Sequence, residues 1–398
     1  MTESIYRSAA RLSAGREFLR VNGGRESRTG ATLAAAERLF VVLPTWNAGR
    51  YLSAQLDSLA AQSRADWTLL VRDDGSSDAT MATLRARAAA DERIVLLSDG
   101  GGRCGACAGF GRLLLEAYRR GADYVACCDQ DDVWHAGKLA RQIASLKQAA
   151  GDRRDEPLLS TCGADLVDAD LRPLGTWRPH VEAAATRTGA LAARLLRNVY
   201  PGCTLVANRA LLAAALPLPR GAAMHDWWLA LVATAVGRVV PLDEPLVQYR
   251  QHATNTVGAG LARSQWSRVM TRPWRTWQKW CANQQAALVQ MLELGLRIRV
   301  EGTASADVRQ FADELLTTLS HAQGRGVRRL LHRVGHELSL RDRLALRVMR
   351  GHASRPELAT VRTLLAHDAN RDATNRVVPP VHRPNEWGSR STARREAG

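Results

Sequence analysis

Between residues 39 and 128 this chain carries four short, unbroken apolar runs, each closed by a proline, a turn or an acidic cluster. Leu39–Leu43 stops at Pro44, and Trp67–Val71 runs into Asp73-Asp74-Gly75-Ser76-Ser77-Asp78. Ile94–Leu97 follows, and Tyr124–Cys128 closes on Asp129-Gln130-Asp131-Asp132. Residues at helical spacing separate the runs: Leu52, Leu56, Leu59 and Ala60, then Met81–Ala90, then a stretch around Phe110–Arg120. A strand exposed on one face alternates polar and apolar side chains, whereas one covered on both faces has no reason to. The pattern therefore predicts a mostly parallel sheet with helices on both sides, an α/β fold.

Past Asp155 the alternation loosens. Short strands are expected at Leu158–Val167 and Cys203–Val206, a helix over Met224–Ala235, and a strand pair at Arg238–Leu242 and Leu246–Tyr249. The sequence divides into a polar extension (1–37), the α/β domain (38–260), a basic helical region (261–376) and a flexible tail (377–398). A hydrophobic share of 46% with 24% charged residues excludes a wholly disordered chain. No stretch approaches the roughly 18–20 apolar residues of a membrane span. The first thirty residues scatter Arg7, Arg11, Arg16 and Arg20 where a leader would place an apolar run, so a cytoplasmic location is expected. Seven cysteines, with one C-x-x-C at Cys104 and Cys107 and no second pair, read as buried reduced thiols, not as a disulfide or zinc framework.

In an open parallel sheet, ligands bind beyond the carboxyl ends of the strands. Asp73 and Asp74 end the second strand and Asp129, Asp131 and Asp132 the fourth, so the fold brings both groups to one edge. Clustered carboxylates repel unless a cation or hydrogen-bond donors offset them. Oxygen ligands of this kind favour Mg²⁺ or Mn²⁺, ions that usually serve a substrate's phosphates. The competing reading is turn chemistry at Asp-Gly-Ser and helix capping by the second cluster, but a cap needs one aspartate, not three. No G-x-x-x-x-G-K-[ST] loop is present, and the glycines at 100–111 lack the dinucleotide spacing.

Three motifs together, Val42-Leu43-Pro44-Thr45-Trp46-Asn47, Asp73–Asp78 and Asp129–Trp134 with Lys138, resemble the inverting family 2 glycosyltransferases of the GT-A fold. Gly202-Cys203-Thr204, His225-Asp226-Trp227-Trp228 and Tyr249-Arg250-Gln251-His252 are similar to the rhamnosyltransferase-type branch. The resemblance covers about residues 38–260. It implies that Pro44, Thr45, Trp46 and Asp73 or Asp74 hold the nucleoside base, and that Asp129 and Asp131 bind ribose and the bridging metal. It also implies that Asp226 is the catalytic base and that His252 stands near the metal. Asp132, Trp134, Trp227, Trp228 and Arg250 are expected at the acceptor or behind these groups. Trp46 replaces the family's usual tyrosine, and Arg103 and Gly109 replace its asparagines, changes that bear on the donor.

The chemistry asks for the same parts. An acceptor hydroxyl attacking an anomeric carbon in line must lose its proton to a base, and one base suffices when a single displacement inverts configuration. A metal offsets charge on the leaving diphosphate. Asp226 could instead be a helix cap, His252 an ordinary loop histidine, and the paired tryptophans core.

Downstream, Trp266, Met270, Trp274, Trp277 and Cys281 share one helical face, with Arg268, Arg272, Arg275 and Lys279 beside it. Arg325–Arg355 is a second basic block. With 55 Lys+Arg against 39 Asp+Glu and a net charge of +16, these segments predict peripheral contact with anionic lipid at the inner face of the cell membrane. No nucleic-acid-binding motif accompanies the charge. The expected function is transfer of a sugar, by resemblance L-rhamnose from dTDP-rhamnose, to a lipid-linked or polymeric glycan of a surface polysaccharide such as O-antigen. The alternatives are a UDP-hexose donor on the same fold, or a non-catalytic basic protein binding membrane or nucleic acid.

Overall fold

The computed structural model describes residues 37–98, 100, 102–179, 186–196, 198–219, 221–252, 290–299 and 304–320. The first half builds as the apolar runs predict: β1 (Leu39–Thr45), α1 (Leu52–Ala60), β2 (Trp67–Asp73), α2 (Thr80–Ala90), β3 (Ile94–Leu96), α3 (Ala106–Arg119) and β4 (Tyr124–Cys127). Strands β3, β2, β1 and β4 lie side by side and parallel. Nearly every residue of β1 and β2 is buried, which is why their sequences do not alternate. Helix α3 sits close over the end of β1 because residue 109 is glycine; a Cβ there would lie 3.1 Å from the Cβ of Pro44.

The second half continues the sheet with β5 (Val133–Trp134), α4 (Lys138–Ala150), β6 (Leu158–Val167), β7 (Pro173–Trp177), α5 (Arg187–Leu196), β8 (Leu205–Asn208), α6 (Arg209–Ala215), α7 (His225–Val236) and β9 (Arg238–Arg250). The order is β3-β2-β1-β4-β8-β6-β9-β5, with β7 on β6. Beyond β4 the directions mix: β8 is antiparallel to both β4 and β6, while β6 and β9 run parallel.

Several expectations need correction. The pair expected at 238–242 and 246–249 is one strand, β9; the Asp243-Glu244-Pro245 interruption is absorbed as a register shift against Cys162 and Gly163. The strand expected at Cys203 begins at Leu205, after a 3₁₀ turn over Gly202–Thr204. The very short β5 and β7 and helices α5 and α6 were not expected.

Two apolar layers flank the sheet. One gathers α1, α4 and the buried side of β1 and β2, with Trp134 inside it. The other gathers α3, α5, α6 and α7. The latter also contains Met291, Leu292, Leu294 and Ile298 from a helical segment over 290–299 (α8), and Val308, Phe311, Leu315 and Leu316 from α9 (Ala306–Ser320). A boundary near 260 therefore does not separate two cores: at least these helices complete the first one. The extension at 1–36, the Trp-bearing face at 266–281, the Arg325–Arg355 block and the tail lie outside the described residues.

Candidate active site

The carboxyl ends of β1, β2 and β4 meet as a set of interlocked loops. Asp74 N donates to the carbonyl of Thr45 at 2.8 Å, and Thr45 Oγ1 donates to Asp73 Oδ1 at 2.9 Å. Asp73 also receives the amides of Gly75 and Ser76 and the Ser76 hydroxyl, so its carboxylate is committed to the turn. Asp74 points toward α3, accepting from Cys104 N at 2.7 Å, Gly105 N at 2.8 Å and the buried Arg72 at 2.7 Å. Burial opposes its ionisation, but those donors outweigh it and hold the carboxyl below the usual aspartate range. Pro44 belongs to β1, and beyond it Trp46 is 43% exposed with Arg103 Cζ 3.9 Å over its ring. Two of the three residues that depart from the family pattern thus face each other, offering a flat cationic-aromatic surface at the loop mouth.

Gln130 ties this loop to the acidic one: it accepts from Trp46 N at 2.7 Å and donates to the Trp46 carbonyl at 3.2 Å. Beside it, Asp132 is fully buried. Its Oδ1 accepts Arg250 N at 2.9 Å, and its Oδ2 has no hydrogen-bond partner. Burial, with the Asp131 charge, raises the Asp132 carboxyl; burial, with Asp132 and Asp131, raises Asp129. Asp131 Oδ2 lies 2.9 Å from His252 Nε2. Carboxylates crowded until they resist ionisation, an orphaned buried oxygen and one imidazole fit a hard divalent cation. The Cys203 thiol, raised by burial, lies within 4.8 Å of Asp129 and Asp132, but as a soft donor it suits a hard cation less than oxygen and imidazole do.

The third part is the start of α7. Asp226 is not its cap, since that position is Met224; the Asp226 carboxylate is itself buried. Oδ1 accepts from Asn198 Nδ2 at 2.9 Å and from Trp227 N at 2.7 Å. Burial pushes this carboxyl up to about 6, with Asn198 and the Trp227 and Gly202 amides pulling the other way. Gly202 is required here: a Cβ would stand 2.7 Å from His225 Nε2. His225 stacks on Phe110 at 3.6 Å between centroids, and burial drives it down to about 3, so it is neutral. The charge of Asp226 reaches both Asp129 and the half-buried Cys107, which puts Asp226 and the acidic loop in one electrostatic neighbourhood.

Of the residues expected at the acceptor or behind these groups, several lie behind them. Trp227 and Trp228 are core side chains, their indole N–H groups bound to the carbonyls of Arg194 and Ala215, so neither is an acceptor platform. Trp134 is likewise buried, under Lys138. Arg250 is 3% exposed and acts as a brace, its Nε on the Asp131 carbonyl at 2.6 Å and Nη1 on the Ala169 carbonyl at 2.6 Å. Asn198, bound to Asp226, and Tyr51, stacked on His252, belong to no motif and are revealed only by their neighbours in space; Gln130 lies inside the acidic motif, but its tie to Trp46 is not legible there.

Comparison with known proteins bears on the same segment. Residues 40–153 match the model of the glycosyl transferase family 2. WfgD of Escherichia coli, a UDP-Glc:alpha-D-GlcNAc-diphosphoundecaprenol beta-1,3-glucosyltransferase, is 36% identical over 106 residues, 27% of this chain and 40% of its own length. TuaG of Bacillus subtilis, a putative teichuronic acid biosynthesis glycosyltransferase, is 29% identical over 217 residues, 53% of this chain and 77% of its own. The dTDP-rhamnosyl transferase RfbG of Shigella flexneri is 26% identical over 246 residues, 57% of this chain and 81% of its own. Among solved structures, residues 1–349 of S. aureus TarS with UDP-GlcNAc superpose with a TM-score of 0.51 at 16% identity, covering 84% of this chain and 92% of that one. That likeness establishes the fold.

Proposed function

From a chain whose residues 40–153 match the glycosyl transferase family 2 model and whose fold is like that of TarS, we propose an inverting family 2 transferase of the GT-A type that moves a sugar from a nucleoside diphosphate onto a hydroxyl of a growing polysaccharide. The observation that carries the mechanism is a buried carboxylate, Asp226, held by three donors in the field of the acidic loop. At neutral pH a carboxyl pushed up to about 6 is ionised yet more basic than an exposed aspartate, as a general base requires. Asn198 and the Trp227 amide fix its orientation, so the acceptor's proton passes to a carboxylate that does not have to reorganise. One base taking one proton during a single displacement inverts the anomeric centre. Trp46 and Arg103 form the surface for the nucleobase, while Asp73 and Asp74 shape the loops that hold it.

Asp131 and His252, with Asp129 beside them, are the groups that would hold Mg²⁺ or Mn²⁺; bound there, the ion would offset the charge of the leaving diphosphate. For the donor we favour dTDP-rhamnose, supported by the likeness to RfbG over more than half the chain. WfgD, with a UDP-Glc donor, supports a UDP-sugar instead. The acceptor would be a lipid-linked or polymeric glycan, reached by a protein of net charge +16 docking on anionic lipid at the inner membrane face. No helix among the described residues is long and apolar enough to cross a membrane.

Calorimetric titration of dTDP, UDP and GDP, with and without Mn²⁺, tests the reading, with Asp131→Asn as control. Metal-dependent binding of dTDP that is lost in the variant supports it, and preference for UDP changes the sugar. A folded protein that binds none of the three would refute it.

A further inference from the structure

Tyr51 lies outside the groups assigned above to proton transfer and cation binding, yet two side chains of the acidic site converge on its ring. The imidazole of His252 stacks on it with centroids 4.8 Å apart and planes 29° from parallel. The Arg250 guanidinium carbon lies 4.6 Å from the same ring, and that of Arg50 5.1 Å. We propose that Tyr51 is a positioning residue for the cation site, holding the His252 imidazole edge-on to Asp131. The proposal rests on the metal-assisted reading above.

Each component is fixed independently of His252. Tyr51 stands immediately before α1, its amide bound to the Ala48 carbonyl at 2.9 Å, so the ring is anchored at a helix entrance. Arg250 is held by the carbonyls of Asp131 and Ala169 and through its own amide by Asp132. The ring therefore rests against a guanidinium that the acidic loop itself immobilises. His252 lies two residues past the end of β9. An imidazole there can turn about two side-chain bonds unless something restrains its plane. Stacked on Tyr51, it presents Nε2 to Asp131 Oδ2 at 2.9 Å. Groups that orient a metal-binding imidazole without touching the metal typically change affinity by about 10- to 100-fold. The contacts use the ring face, so phenylalanine should serve as well as tyrosine.

The test measures free Mn²⁺ by electron paramagnetic resonance, in full-length protein saturated with whichever of dTDP or UDP it binds. Tyr51→Phe should match wild type. Tyr51→Leu should weaken Mn²⁺ binding by roughly 10- to 100-fold while leaving metal-free nucleotide affinity and the thermal midpoint near those of wild type. In a His252→Ala background the Tyr51→Leu change should have no further effect, which separates orientation of His252 from general damage. Wild-type affinity in Tyr51→Leu, or an equal loss with His252 absent, overturns the proposal. If wild type binds no Mn²⁺, metal dependence itself fails, and the positioning role is read from the ring ¹⁵N signals of His252 in metal-free protein. Signals moved by leucine but not by phenylalanine uphold it; signals unmoved by leucine overturn it.

Discussion

Burial pushes the Asp226 carboxyl up to about 6, while Asn198 and the amides of Trp227 and Gly202 stabilise its ionised form. In the proposed role of base Asp226 works only when ionised, so kcat/KM should fall as pH drops through about 6 and level off above it. Asn198→Ala removes a donor to the charged form, so the acid limb should move to higher pH; an unmoved limb would exclude this role for Asn198. Asp226→Asn should reduce turnover by about 10²–10⁴-fold with nucleotide affinity retained, measured by single-turnover kinetics and calorimetry. The same substitution should raise the melting temperature at pH 8. A carboxyl raised on folding contributes stability at low pH that is lost as pH rises through its folded value, about 6. The distance from 3.8 to about 6 corresponds to roughly 3 kcal/mol at most. The advantage of the asparagine variant should therefore shrink below pH 6, and an advantage independent of pH would contradict the assignment.

At the scale of elements, what the sequence revealed followed from what each segment contacts. β1, β2 and β4 announce themselves because strands buried on both faces have unbroken apolar runs. β5 and β7 are two and five residues long and carry no such run; they form because β9 and β6 offer them an edge. β9 read as two strands because Pro245 interrupts it, and the neighbouring strand's register shift is invisible in sequence. The acidic loop was legible because charge clustering needs a reason, whereas Asn198, 28 residues from Asp226, is identified only by contact. The 3₁₀ turn before β8 tests how tightly elements are fitted around the base. Gly202→Ala places a methyl against His225 Nε2 and should cost about 1–3 kcal/mol, as overpacking does, with activity falling alongside. Denaturant melts would show it, and an unchanged midpoint would mean that His225 yields freely.

For the whole molecule, α8 and α9 matter because their apolar side chains close the layer formed by α3, α5, α6 and α7. Arg297 fastens α8 by donating to the carbonyls of Ala214, Leu216 and Pro217, and Gln290 accepts the Ala223 amide. Ending the chain at residue 260 would expose that layer, and we expect such a protein to aggregate or melt well below the full chain. Light scattering and calorimetry distinguish that from an independent domain, which would remain monomeric with an unchanged midpoint. The sheet itself terminates in its two shortest strands, β3 with three residues and β5 with two. Off its main path, β7 opens with Pro173 and contains Gly175. β5 covers only Val247 and Gln248 of β9, so among the described residues no strand lies along the outer side of Arg238–Leu246, a stretch that contains Pro241, Asp243, Glu244 and Pro245. Prolines that cannot donate to a ladder, with two acids between them, are what sets that border against accepting a strand from a second molecule.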